Sequence, residues 1–215
     1  MNQGKSGRLR VGLLTLPISG VLGAVVLLLR GPIVFPLTAG SDWIGVVSST
    51  NFLLYQNLLA ILYVLPFVGF LALHGVLARD VRVWKSSFVG LILTLWGTAL
   101  ALPALGIASF VTSLAGQAGS ADQARIGQIV TEAITGSGML IGIVAAVLYT
   151  TGPILFGVAI WRKGGLSRIA AILFATHGAL LSFGFSFFPA LILGWILLAI
   201  SGILISLDVR KESQS

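Results

Sequence analysis

The stretch "GMLIGIVAAVLYTTGPILFGVAIW" (138–161) contains no charged residue, and its reading decides the fold. At a rise of about 1.5 Å per residue it reaches across the roughly 30 Å hydrocarbon core of a bilayer. A helix at a soluble surface buries one stripe and wets the other, whereas this one is apolar on every face. Arg162, Lys163, two glycines and Arg168 follow before apolar chain resumes at Ile169. The same alternation of long apolar runs and short basic connections extends in both directions.

Of 215 residues, 57% are hydrophobic and 9% charged, and the mean hydropathy is +1.05. Soluble domains carry roughly a quarter charged residues, so this composition is that of an integral membrane protein. Six apolar stretches have spanning length: 11–29, 52–78 interrupted by Pro66, 87–111, 138–161 with Pro153 inside, 169–185 and 190–207. No long alternation suggests a barrel. The expected fold is therefore all-α: one membrane domain over 1–215, with six transmembrane helices in one bundle.

The net charge of +7 is explained by placement. Lys5, Arg8 and Arg10 precede the first stretch, and Arg79, Arg82 and Lys85 join the second to the third. Arg162, Lys163 and Arg168 join the fourth to the fifth, and Arg210 and Lys211 follow the sixth. Only Arg30 and Arg125 fall on the other side of a six-span path. The positive-inside rule then puts both termini in the cytoplasm. No basic, aromatic-studded soluble segment exists to bind nucleic acid. The first stretch exceeds the usual 7–15-residue core of a signal peptide and reads as an uncleaved anchor.

Two outer loops have some length. "GPIVFPLTAGSDWIGVVSST" (31–50) places Trp43 among apolar residues and is expected at the bilayer surface or dipping into the bundle. The second, Thr112 to about Thr135, has Ser120 and Gln123 at capping-box spacing. Ile126, Ile129, Val130, Ala133 and Ile134 then recur at amphipathic helical spacing, either as a surface helix or as an extension of the fourth span. Ser186–Pro189 is expected to be a tight turn.

Gly138, Gly142, Ala146 and Thr150 recur every four residues, a small-residue stripe of the kind that lets another helix approach closely. Ala171, Ala175, Gly178 and Ser182, and Gly90, Thr94 and Thr98, form looser versions. Each internal proline frees a carbonyl; Thr150 and Thr151 are placed to serve the one near Pro153.

"ATHGALL" (175–181) and "ALHGVLA" (72–78) carry the two histidines. His177 lies about 13 Å beyond Arg168, near the bilayer midplane, and His74 about 7 Å from Arg79. An ionisable group inside a membrane is a candidate functional residue. His177 is open to four readings: a neutral ring hydrogen-bonded to another helix, an axial haem ligand with His74, a transport relay, or the base for a nucleophile at Ser137. Haem ligation conflicts with a depth difference of about 6 Å. A proton relay lacks a central Asp or Glu, since Asp42, Asp80, Asp122, Glu132, Asp208 and Glu212 all lie outside span centres. The serine reading resembles rhomboid-type membrane proteases, which also place a serine early in a fourth span. Their G-x-S-G motif lacks its first glycine here, and their histidine is on the sixth span, whereas His177 is on the fifth. Absence of cysteine removes thiol chemistry, and neither metal-hydrolase nor nucleotide-phosphate motifs occur. Arg125 and Glu132 share a face and read as solvated. The 103-residue offset between the histidine motifs does not extend into an internal repeat.

The hairpin "ILFGVAIWRKGGLSRIAAIL" (154–173), the chain length and the short basic start resemble uncharacterised six-span bacterial integral membrane proteins, classed as domains of unknown function. The resemblance implies a bacterial inner-membrane (cell membrane) location and no catalytic residues. The expected role is non-enzymatic, through helix packing with itself or a partner protein. The alternative is transport of a small or lipid-like molecule through a cavity near His177, Thr150 and Thr151, with His74 a further candidate functional polar residue. Haem binding or intramembrane catalysis stands third. No cofactor or metal is expected, and the bilayer is the expected medium.

Overall fold

The hairpin at 162–168 shows how this chain turns. Gly164 and Gly165 adopt φ of +70° and +71°, a left-handed backbone that a side chain would strain. Ser167 then caps the next helix, its hydroxyl accepting from the Ala170 N–H at 3.4 Å. The Ser167 N–H itself donates to the Asp208 carboxylate at 2.8 Å. Gly31 (φ +80°) ends the first helix in the same way, donating to the Leu27 carbonyl at 3.1 Å.

The computed structural model describes residues 3–31, 49–106, 110, 120–184 and 187–212. Among them are eight helices: α1 (Gln3–Arg30), α2 (Thr50–Val64), α3 (Pro66–Leu77), α4 (Trp84–Gly106), α5 (Ser120–Thr135), α6 (Ser137–Lys163), α7 (Arg168–Phe183) and α8 (Phe188–Glu212). The loop containing Trp43, the stretch 111–119, part of the turn before Pro189 and the side chains of Ser120, Gln123 and Ser137 lie outside the described residues.

Five helical segments are long and apolar enough to cross a membrane: Gly7–Arg30, Thr50–Leu77, Trp84–Pro103, Gly138–Lys163 and Phe188–Glu212. The chain is a multi-pass membrane protein. The remaining apolar helix, α7, has 16 residues and is shorter than the expected six-span pattern requires. Gly184 ends it, donating to the Leu180 carbonyl. Pro66 splits the second segment, because its ring removes the N–H that would continue the helix. Pro153 lies inside the unbroken α6.

Neighbouring helices run antiparallel through glycines. A Cβ on Gly12 would stand 2.7 Å from Ala72 Cβ, aligning α1 with α3. On Gly202 it would stand 2.7 Å from Pro17, aligning α8 with α1, and on Gly90 2.9 Å from the Gly152 carbonyl, aligning α4 with α6. Gly178 meets Pro153 at 2.7 Å, and Gly184 meets Leu191 at 2.9 Å, aligning α7 with α6 and with α8. In lipid there is little hydrophobic drive between helices, so close packing of this kind carries the association. Leu13, Leu16, Phe70, Leu73, Phe156, Phe174, Trp195 and Leu198 fill the centre.

This alignment gathers the start of α1, the α3–α4 turn, the α6–α7 hairpin and the end of α8 at one end of the bundle. Lys163 Nζ lies 2.6 Å from Glu212 Oε1, and Arg82 Nη2 donates to the Lys163 carbonyl at 3.3 Å. The basic residues assigned to one side from the sequence therefore sit together. Arg30 ends α1 at the opposite end.

Candidate functional site

Buried hydroxyls in this bundle mostly turn back onto their own helix. Thr94 donates to the Gly90 carbonyl at 2.7 Å, Ser182 to Gly178 at 2.8 Å and Ser201 to Leu198 at 3.1 Å. Such bonds satisfy a polar group without a partner from another helix. Four buried polar atoms stand apart, with no hydrogen-bond partner among the described residues: His177 Nε2, Thr150 Oγ1, Thr98 Oγ1 and Gln56 Nε2.

His177 is fully buried on α7. Its Nδ1 hydrogen-bonds to the Phe174 carbonyl, which can only accept, so Nδ1 carries the proton and Nε2 is an open acceptor. Phe174 meets the ring edge-on at 4.8 Å between centroids, and Phe70 of α3 lies nearly parallel to it at 6.4 Å. Phe70 also stacks on Phe156 of α6 at 5.9 Å. The ring thus completes an aromatic cluster drawn from three helices. Its chemical capacity is one hydrogen bond accepted, or one metal bond made, at Nε2.

His74 is held differently. Its Nδ1 lies 2.9 Å from Ser87 Oγ, and the Ser87 hydroxyl is spent on the Trp84 carbonyl at 2.9 Å, so His74 is the donor. The bond ties α3 to the start of α4. The two histidines are not brought together: Phe70, one turn deeper than His74 on α3, occupies the position beside His177. The haem reading therefore gains no geometric support.

Thr150 and Thr151 lie within one turn of Pro153, against which Gly178 packs, so they share the level of His177. Neither hydroxyl is bonded to the His177 ring. Thr151 donates to the Val147 carbonyl at 2.7 Å and is partly exposed, while Thr150 keeps a buried, unpartnered hydroxyl. Neither hydroxyl serves the Tyr149 carbonyl that Pro153 leaves without its helical donor, contrary to expectation. Ser137 begins α6, about 24 Å along the helix from Pro153, far outside the roughly 3 Å needed between a nucleophile and its base.

The stripe Gly138–Gly142–Ala146 is placed apart from the tight contacts of α6. Its close approach to α4 runs through Tyr149 and Gly152 instead. Gly138 and Ala146 are half-buried, Gly142 is exposed, and no described atom lies within 4 Å of a Cβ built on Gly142.

One polar pair escaped the sequence reading. Arg30 Nη1 donates to Gln56 Oε1 at 2.7 Å, joining the end of α1 to α2, and Gln56 is almost completely buried. The polar pair Gln56–Asn57 in the otherwise apolar run 52–64 was the available signal. Among the described residues no group of three or more His, Cys, Asp or Glu could hold a metal ion. No family model matches this chain, and neither a curated protein nor a solved structure matches it.

Proposed function

We propose that the chain is a six-crossing bacterial inner-membrane protein with both termini cytoplasmic. It acts without catalysis, by presenting the outer half of α6 to another transmembrane helix, from a second copy or a partner protein. The open surface at Gly142 carries this reading: small residues at four-residue spacing permit backbone approach, and here no described residue uses them. Exposed Leu140, Ile141 and Val144 flank the stripe and would complete such a contact.

The sixth crossing is supported by the position of α7. Ser167 bonds Asp208 at one end and Gly184 packs on Leu191 at the other, so α7 follows α8 over most of its depth. The orientation is supported by the clustering of basic residues at the end that holds the start of α1 and the end of α8. A reporter fused after Glu212 that reads periplasmic would reverse it.

The chain contains no cysteine, so single cysteines can be introduced without background. Under mild oxidation in native membranes, Gly142→Cys and Ala146→Cys should form disulfide-linked dimers. Where the partner is a different protein, a photoreactive label on these cysteines should give heteromeric adducts instead. Leu22→Cys, on the exposed face of α1, is the control. Equal, low crosslinking at all three positions would sink the packing role.

A second reading is a small-molecule pathway at His177, favoured by its unpartnered Nε2. It predicts saturable flux in proteoliposomes that His177→Ala abolishes.

A further inference from the structure

We propose that the furrow between α6 and α7 seats one acyl chain of an anionic phospholipid whose phosphate is held by Arg162 and Arg168. The furrow is open, has a volume of about 240 Å³, and ends at Trp161 and Arg162. Its floor is Gly157, Ala171 and Ala175. A Cβ on Gly157 would stand 2.8 Å from the Ala171 carbonyl and 3.0 Å from Ala175 Cβ, so the two helices touch here and their small side chains leave the channel. From Ile154 to Arg162 it runs about 12 Å inward from the basic end.

Charge at the mouth selects the occupant. The Arg168 guanidinium lies 5.1 Å over the Trp161 ring, at the level where tryptophan meets lipid headgroups. Lys163 is committed to Glu212 at 2.6 Å. Neither Arg162 nor Arg168 forms an ion pair among the described residues. Two guanidinium forks beside an apolar channel match a molecule with a phosphate at one end and hydrocarbon at the other. The furrow is smaller than the roughly 300 Å³ of an ordinary enclosed ligand pocket. A single acyl chain fits this limit, and free phosphate would leave the apolar channel unused.

The test uses the full chain reconstituted in phosphatidylcholine vesicles containing phosphatidylglycerol. A trace of either lipid carries a photoactivatable group on its acyl chain, and adducts are mapped by peptide. Phosphatidylglycerol adducts should concentrate in 154–175, at least fivefold over phosphatidylcholine. In Arg162→Gln/Arg168→Gln that ratio should fall to parity. Val158→Trp, which narrows the exposed side of the furrow and keeps both arginines, should remove the adducts without changing thermal stability. Parity in the parent chain, a preference that survives the double substitution, adducts spread evenly over all lipid-facing helices, or competition by millimolar inorganic phosphate would each overturn the proposal.

Discussion

Gly97 of α4 lies directly against Tyr149 of α6: a Cβ on Gly97 would stand 2.8 Å from both the Cα and the Cβ of Tyr149. The obstacle is backbone, which cannot rotate away. Gly97→Ala should therefore destabilise by about 1–3 kcal/mol, the usual range for overpacking. Thermal unfolding in detergent should show a Tm lower by about 2–12 °C for a chain of this length. An unchanged Tm would mean that α4 and α6 are not packed in this register.

Gly142→Leu is the counterpart on the other face of α6. With no described neighbour against that position, it should leave the Tm of the detergent-solubilised monomer within about 1 °C, as surface substitutions do. It should nevertheless abolish the crosslinking of Ala146→Cys. A large drop in monomer stability would mean that this face is occupied within the chain.

These two glycines mark where sequence reading stops. Element positions were legible: the expected stretches 11–29, 138–161 and 190–207 fall inside α1, α6 and α8, and the helical spacing after Ser120 became α5. Pro66 marked the break between α2 and α3. The inward faces were not legible. In a soluble helix the polar side points outward, but lipid tails are as apolar as leucine, so Ile141 and Val144 are exposed while equally apolar Phe156 and Ile160 are buried. Regular four-residue spacing favoured Gly142 over Gly97 and Gly152, whose contacts depend on what lies across from them. Helical rise puts His177 and Thr150 at one level; it does not tell which polar atoms find partners, and His177 Nδ1 turns onto the Phe174 carbonyl while Thr150 Oγ1 has no partner among the described residues. Gln56 and Arg30 were hidden by the 26 positions that separate them in sequence.

At the basic end, Asp80 accepts from the Arg82 side chain at 2.7 Å and from the Arg82 backbone N–H at 2.9 Å. The side-chain bond first, and the backbone bond second, pull the Asp80 pKa from 3.8 down to about 2. A depressed carboxylate stabilises the fold above its unfolded value and loses that contribution as pH falls through the folded one. The Tm difference between the parent chain and Asp80→Asn should thus be constant above about pH 4 and vanish near pH 2. A difference unchanged across that window would remove the ionic basis of the turn.

At the opposite end, the Arg30–Gln56 bond lends itself to a double-mutant cycle. Arg30→Leu leaves both ends of a buried amide without a partner and should cost about 1–3 kcal/mol. Adding Gln56→Leu should restore most of that loss, because an apolar pair needs no hydrogen bonds. Chemical or thermal unfolding of the four proteins measures the coupling. Additive losses would show that the two side chains do not depend on each other.

His177 separates a structural ring from a working one. Its Nδ1–H is used by the Phe174 carbonyl, while Nε2 is buried without a partner. His177→Phe removes that unsatisfied acceptor and suits the ring cluster of Phe70 and Phe174. If packing is the only role, stability should change by less than about 1 kcal/mol, since replacing an unsatisfied buried polar group by an apolar one of similar shape is near neutral. His177→Ala, which opens a cavity beside the same rings, should cost about 2–4 kcal/mol. Thermal unfolding of both variants in one detergent gives the comparison. A loss in His177→Phe as large as in His177→Ala would mean that Nε2 holds a partner in the membrane, and the pathway reading would displace the packing one.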